Sequence, residues 1–199
     1  MTDNSGGQIP LELLLQHLRS LSEPGDDLPD PNTEIGKATH EFFANNWENA
    51  RDGLLSRTDR VRFWPSPGPG PRSFTFEIDL PYKRKGMNGG VEVAPGPVRG
   101  TVLYRSDVLT PEPGGHSIVV FIDTDLGFYH PNYSRKHGVL CIGDIPNGPF
   151  PLDALIEHIY GIVSYQNRDS DNPADMEAVR YFTADPGAFE GLDDVPRLY

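Results

Sequence analysis

Apolar residues recur along this chain with two different periods, and the changes of period divide it into segments. From Ile9 to Leu21, the residues Leu11, Leu13, Leu14, Leu15, Leu18 and Leu21 fall at roughly helical spacing and predict a short amphipathic helix. Ser22 to Asn32 is rich in Pro, Gly and Asp and reads as a linker. Residues 1–32 are therefore expected to form an arm, and residues 33–199 the folded domain. A second helix is predicted from a cap at Asn32 or Thr33 through Phe42, Phe43, Trp47 and Leu54 to about Arg57. The period then shortens to two. Phe74, Phe76, Ile78 and Leu80 alternate with other residues, and Val61–Trp64, Gly100–Tyr104 and Ser117–Asp123 are likewise β-branched or aromatic, which predicts four strands. Proline and glycine clusters between them favour an antiparallel meander over helical crossovers.

Helical spacing returns after Pro151, where Leu152, Leu155, Ile156, Ile159, Ile162 and Val163 share one face; Gly161 weakens this helix by about 1 kcal/mol relative to Ala. A last helix is expected with Asn172 as N-cap, Pro173 at its first position, Asp175 three residues after the cap, and Met176, Val179 and Phe182 turned inward. Strands first and helices last make the chain α+β. Between the two halves, Tyr129 to Phe150 has no clear period yet contains His130, Asn132, His137, Cys141 and Asp144. Long irregular connections of this kind usually carry function.

Composition narrows the classes. A chain of 199 residues holds one domain with a real core plus an extension. A net charge of −12 opposes nucleic acid and anionic membrane surfaces, both of which call for clustered Lys and Arg, although it can steer a basic partner. No apolar run approaches the roughly 20 residues of a membrane span, and the N-terminus lacks a secretory pattern, so a cytoplasmic location is expected. The single cysteine has no partner for an internal disulfide and is too few for a cysteine-based zinc site. Its thiol is either packing or a reagent.

Considered alone, Cys141 within Val139-Leu140-Cys141-Ile142 fits a small apolar residue in a short strand. His137, four residues upstream, fits either a base or an ordinary loop histidine. A cysteine hydrolase drawing on His158, and a zinc centre from His130, His137 and Cys141, are also compatible with the composition of this segment. Local chemistry leaves these alternatives open.

The order of residues from His130 to Phe182 goes further. His130-Pro131-Asn132 resembles the His-Pro-Asn signature of the ubiquitin-conjugating enzyme family, and Gly138-Val139-Leu140-Cys141-Ile142 is similar to its glycine, apolar pair, active cysteine and apolar residue. Phe150-Pro151 before the long helix resembles the family's aromatic-x-Pro entry; Asn167, the acidic loop Asp169 to Asn172, Pro173 and a helix with Glu177, Ala178 and Tyr181 resemble the segment that follows. Cys141 lies eleven residues after His130, one more than usual, the proline-rich loop between the later strands is absent in clear form, and only a short tail follows Asp185. These departures mark a divergent, bacterial-type member.

The resemblance implies a ubiquitin-conjugating-like fold and a carrier activity. Cys141 would accept a ubiquitin-like protein as a thioester from an activating enzyme and pass it to an amine of an acceptor protein. Asn132 would stabilise the oxyanion, His130 would shape the turn, and Asp171 or Asn172 would orient the incoming lysine, Asp171 being the one whose charge suits it to take the proton. No cofactor or metal is implied. The alternative is a binding module of the same fold that holds a ubiquitin-like protein without carrying it; the cysteine at the matching position argues against this.

Overall fold

A computed structural model describes residues 28–66, 72–111, 116–143, 145, 148–167, 173–192, 195 and 198. The predicted helix over Ile9–Leu21 lies outside them. The architecture is α+β, an antiparallel sheet with three helices among the described residues.

Helix α1 spans Glu34–Gly53. The Thr33 hydroxyl accepts from the Gly36 N–H at 3.0 Å and caps it, and Glu34 places an acid in the first turn, where the helix dipole favours one. Its buried residues are Gly36, Thr39, Phe43, Asn46 and Ala50, alternating steps of three and four that form a single stripe. The stripe is offset from the expected one: Phe43 is buried, whereas Phe42 and Trp47 only flank the core. Polarity at Thr39 and Asn46 hides it in the sequence.

Six strands form the main sheet in the order β1-β2-β5-β6-β8-β7, every neighbouring pair antiparallel. The strands are β1 (Val61–Pro65), β2 (Ser73–Ile78), β5 (Val98–Tyr104), β6 (Ile118–Ile122), β7 (Tyr133–Ser134) and β8 (Val139–Leu140). The four predicted strands are β1, β2, β5 and β6. Alternation in β2 turns Phe74, Phe76 and Ile78 inward, and β5 buries Val98, Gly100, Val102 and Tyr104 on the same side. Gly100 is required by close approach: a β-carbon there would stand 2.1 Å from the Phe121 carbonyl oxygen and 2.7 Å from the Phe76 ring. Between β2 and β5 the chain makes an additional hairpin, β3 (Tyr82–Lys85) with β4 (Val91–Ala94), as its own small sheet. Its strands, Tyr-Lys-Arg-Lys and Val-Glu-Val-Ala, are only four residues long, too short for their pattern to mark a strand, and were not expected.

Helix α2 covers Leu152–Val163, and all six residues of its predicted apolar face are buried. Pro151 is its cap residue and supplies no side-chain acceptor; the Asn46 Oδ1 of α1 does so instead, accepting from the Leu152 N–H at 2.6 Å. Tyr104 adds a second anchor, donating to the Phe150 carbonyl at 2.9 Å while packing edge-to-face on Phe43 and Phe74. Helix α3 (Met176–Ala184) starts later than expected. Asp175, not Asn172, is the cap: its carboxylate accepts from the Glu177 and Ala178 amides, and Pro173 lies outside the helix. The reason is that the Ala174 and Asp175 amides are already engaged on the Pro131 carbonyl, both at 2.9 Å.

Candidate functional site

The connection Tyr129–Phe150 is more ordered than its sequence suggests. Ser134 accepts through its carbonyl from the amides of His137 and Gly138, closing a four-residue turn that folds β7 back on β8. Gly138 has φ 68°, the left-handed conformation that glycine enters without strain. Pairing matches Tyr133 with Leu140 and Ser134 with Val139, so one step further Asn132 stands opposite Cys141. The backbone bond is present there: Cys141 N–H donates to the Asn132 carbonyl at 2.6 Å. The Asn132 Nδ2 donates in turn to the Cys141 carbonyl at 3.4 Å. Nine positions apart in sequence, the two are thus cross-strand neighbours.

Burial separates their roles. Asn132 is 3% exposed and His130 is fully enclosed, while Cys141 is half-buried. His130 Nδ1 accepts from the Asn132 N–H at 2.9 Å, and its ring stacks on Phe128 and lies 4.5 Å from the Tyr165 ring. With Nδ1 as acceptor, the ring is the tautomer protonated on Nε2. His130 therefore shapes the turn from inside. The Ala174 and Asp175 amides, just before α3, hold the Pro131 carbonyl as described above.

An ion-pair cluster ties the β7–β8 turn to α3 and β3. Arg135 bonds Asp175 at 2.6 Å and Glu177 at 2.7 Å, Lys85 also bonds Glu177, and both cations lie over the Tyr129 ring. Its hydrogen bonds from Lys85 and Arg135 hold the Glu177 carboxyl down to about 2. Burial, reinforced by Glu177 and Asp175, pushes the Tyr129 phenol up to about 12.

The sequence-derived candidates divide accordingly. Cys141, Asn132 and His130 come together. Asp171, Asn172 and Asp144 lie outside the described residues. His137 occupies the turn at the far end of β8 from Cys141. His158 reaches the cysteine segment from α2, but its Nε2 is 2.7 Å from the Ile142 carbonyl, which it must serve as a donor. Among the described residues no three His, Cys, Asp or Glu are grouped to hold a metal ion, and no helix is long and apolar enough to cross a membrane. A cleft of about 360 Å³ runs beside β7, lined by residues including Lys85, Thr124, Phe128, Tyr133 and Arg135; Cys141 is not among them. Tyr165, Phe128 and Arg135 carry much of this geometry and escaped sequence reasoning, because an isolated aromatic or arginine has no spacing that points to the cysteine. No family model matches the chain, and no curated protein matches it.

Proposed function

We propose that this protein is a ubiquitin-conjugating-type carrier that takes a ubiquitin-like protein as a thioester on Cys141 and passes it to an amine. The observation that carries the reading is the cross-strand juxtaposition of a partly exposed cysteine and a buried, backbone-fixed asparagine. Supporting it at larger scale, the order of helix, antiparallel strands, cysteine segment and helices agrees with the ubiquitin-conjugating-like fold the resemblance implies.

In the first step the Cys141 thiolate attacks the thioester carbonyl held by an activating enzyme. The new carbon–sulfur bond forms as the old one breaks, so the exchange is nearly balanced in energy and depends on positioning. In the second step an acceptor amine attacks, negative charge develops on the carbonyl oxygen, the carbon–nitrogen bond forms as the carbon–sulfur bond breaks, and the proton lost by the amine passes to the Asp171 carboxylate or to the departing Cys141 thiolate. Asn132, a neutral donor opposite Cys141, is the proposed partner for that charge. Its resting bond to the Cys141 carbonyl is long and gives way as a shorter, charge-assisted one develops. Asp171 and Asn172 are the proposed groups for orienting the amine. His158, engaged on the Ile142 carbonyl, is a poor base for a hydrolase.

The test incubates the full chain with an activating enzyme, its ubiquitin-like protein and ATP, then resolves the products without reductant. A thiol-sensitive adduct in the wild type and none in Cys141→Ser is expected. If the activating enzyme charges but no adduct appears on the wild type, the carrier mechanism fails and the binding-module reading replaces it.

A further inference from the structure

We propose that Tyr165 is a positioning residue of the Cys141 site, holding the Tyr129–Asn132 turn so that the Asn132 amide stays opposite the thiol. The consequence for acyl transfer rests on the carrier reading; the mechanical role stands on the geometry alone.

Tyr165 follows the Ser164 cap of α2, and its N–H donates to the Ile162 carbonyl at 2.8 Å. At this position helices commonly enter the left-handed conformation, and glycine is the usual occupant because a β-carbon is strained there. Tyr165 has φ 61° and is the one non-glycine residue with positive φ among those described. A bulky aromatic in that conformation is an outlier, and such outliers persist where the surroundings require the side chain.

What the side chain does is visible in its contacts. Its hydroxyl donates to the Tyr129 carbonyl at 2.6 Å and accepts from the Lys83 N–H at 3.2 Å. Its ring lies 4.5 Å from that of His130, and His130 Nδ1 accepts the Asn132 N–H. Both residues leading into Pro131-Asn132 are thereby fixed by one buried side chain, from the end of α2 and across to β3. Phe182 of α3 packs on the ring with centroids 5.3 Å apart. Burial pushes the Tyr165 phenol up, so it remains a neutral donor throughout the working pH range. A glycine here would relieve the backbone but leave the Tyr129 carbonyl and the Lys83 amide without this partner. Rotation of the turn would then carry Asn132 away from Cys141.

Amide hydrogen exchange on the full chain tests the mechanical claim without any partner. Tyr165→Phe, which keeps the ring, is expected to speed exchange at the Asn132 and Cys141 amides about tenfold or more while the β5 and β6 amides are unchanged. Tyr165→Gly, which removes the strain, is expected to do the same. Equal acceleration at every amide, no change at Asn132 and Cys141, or greater protection in Tyr165→Gly would each overturn the proposal, since the residue would then only end the helix. The catalytic consequence is read in single-turnover discharge of charged protein. Tyr165→Phe should charge normally and discharge about tenfold more slowly, and this loss should vanish in an Asn132→Ala background; an equal loss in both backgrounds rejects action through Asn132. If the wild type does not charge, the carrier reading falls, and hydrogen exchange still decides whether Tyr165 holds the turn.

Discussion

At the scale of single residues, the site depends on a pairing that one hydrogen-bond ladder creates. Asn132 would be an ordinary turn residue if the chain did not reverse at Ser134–Gly138 and return Cys141 to face it. Its amide is fixed at both ends, through the backbone to His130 and Cys141 and through the side chain to the Cys141 carbonyl. Preorganisation of this kind makes one oxyanion donor worth about 3 kcal/mol. Asn132→Ala is therefore expected to slow discharge to lysine by about 10²-fold or more while leaving charging of Cys141 within a few-fold, a split measurable by single-turnover assays of each step. A comparable loss in both steps would mean that the residue acts only by holding the loop. His130, Asn132 and Cys141 were legible because they form an ordered motif; Tyr165 was not, because its importance comes from a backbone conformation and two hydrogen bonds made far along the chain.

At the scale of elements, the helices are held in place by groups from other elements. Asn46 caps α2 from α1, and replacement by Ala removes the acceptor from the buried Leu152 N–H. Asn46→Ala is expected to lower stability by about 1–2 kcal/mol, read as a lower urea midpoint at unchanged slope. The α3 helix is tied to the β7–β8 turn by Arg135, Asp175 and Glu177. Because the folded-state Glu177 carboxyl is held below its ordinary 4.5, its contribution is complete above that value and is lost as pH falls toward about 2. The carboxylate is largely exposed, so the contribution is modest and screened by salt. Comparing urea midpoints, Glu177→Gln should differ from wild type at pH 7 and converge with it near pH 2; a constant difference would place its effect outside the ion pairs. The start of α3 was misread by three residues, since Asn172-Pro173 has the local form of a helix start while the 174 and 175 amides are taken by Pro131.

At the scale of the molecule, the chain carries a net charge of −12, and none of its described ion pairs is fully buried. General self-repulsion then outweighs the local attractions, and raising salt from about 20 to 200 mM, which shortens the screening length below about 10 Å, is expected to raise Tm. A fall would mean that the Arg135 and Lys85 cluster dominates. The amino-acid order by itself determined the α+β class, four of the strands, the apolar face of α2 and the set of three residues at the cysteine, because periodicity and ordered motifs are local properties. It left the β3–β4 hairpin, strand β7 and the pairing of β7 with β8 unread, since strands of two to four residues are stabilised by their neighbours and are too short for alternation to reveal. Only the tertiary structure decided that Asn132 faces Cys141, that Asn46 caps a helix 106 positions away, and that Tyr165 reaches back 36 positions to Tyr129. Each is a hydrogen bond between groups that chain reversal brings together, and the partner of such a bond is chosen by packing, which sequence spacing does not encode.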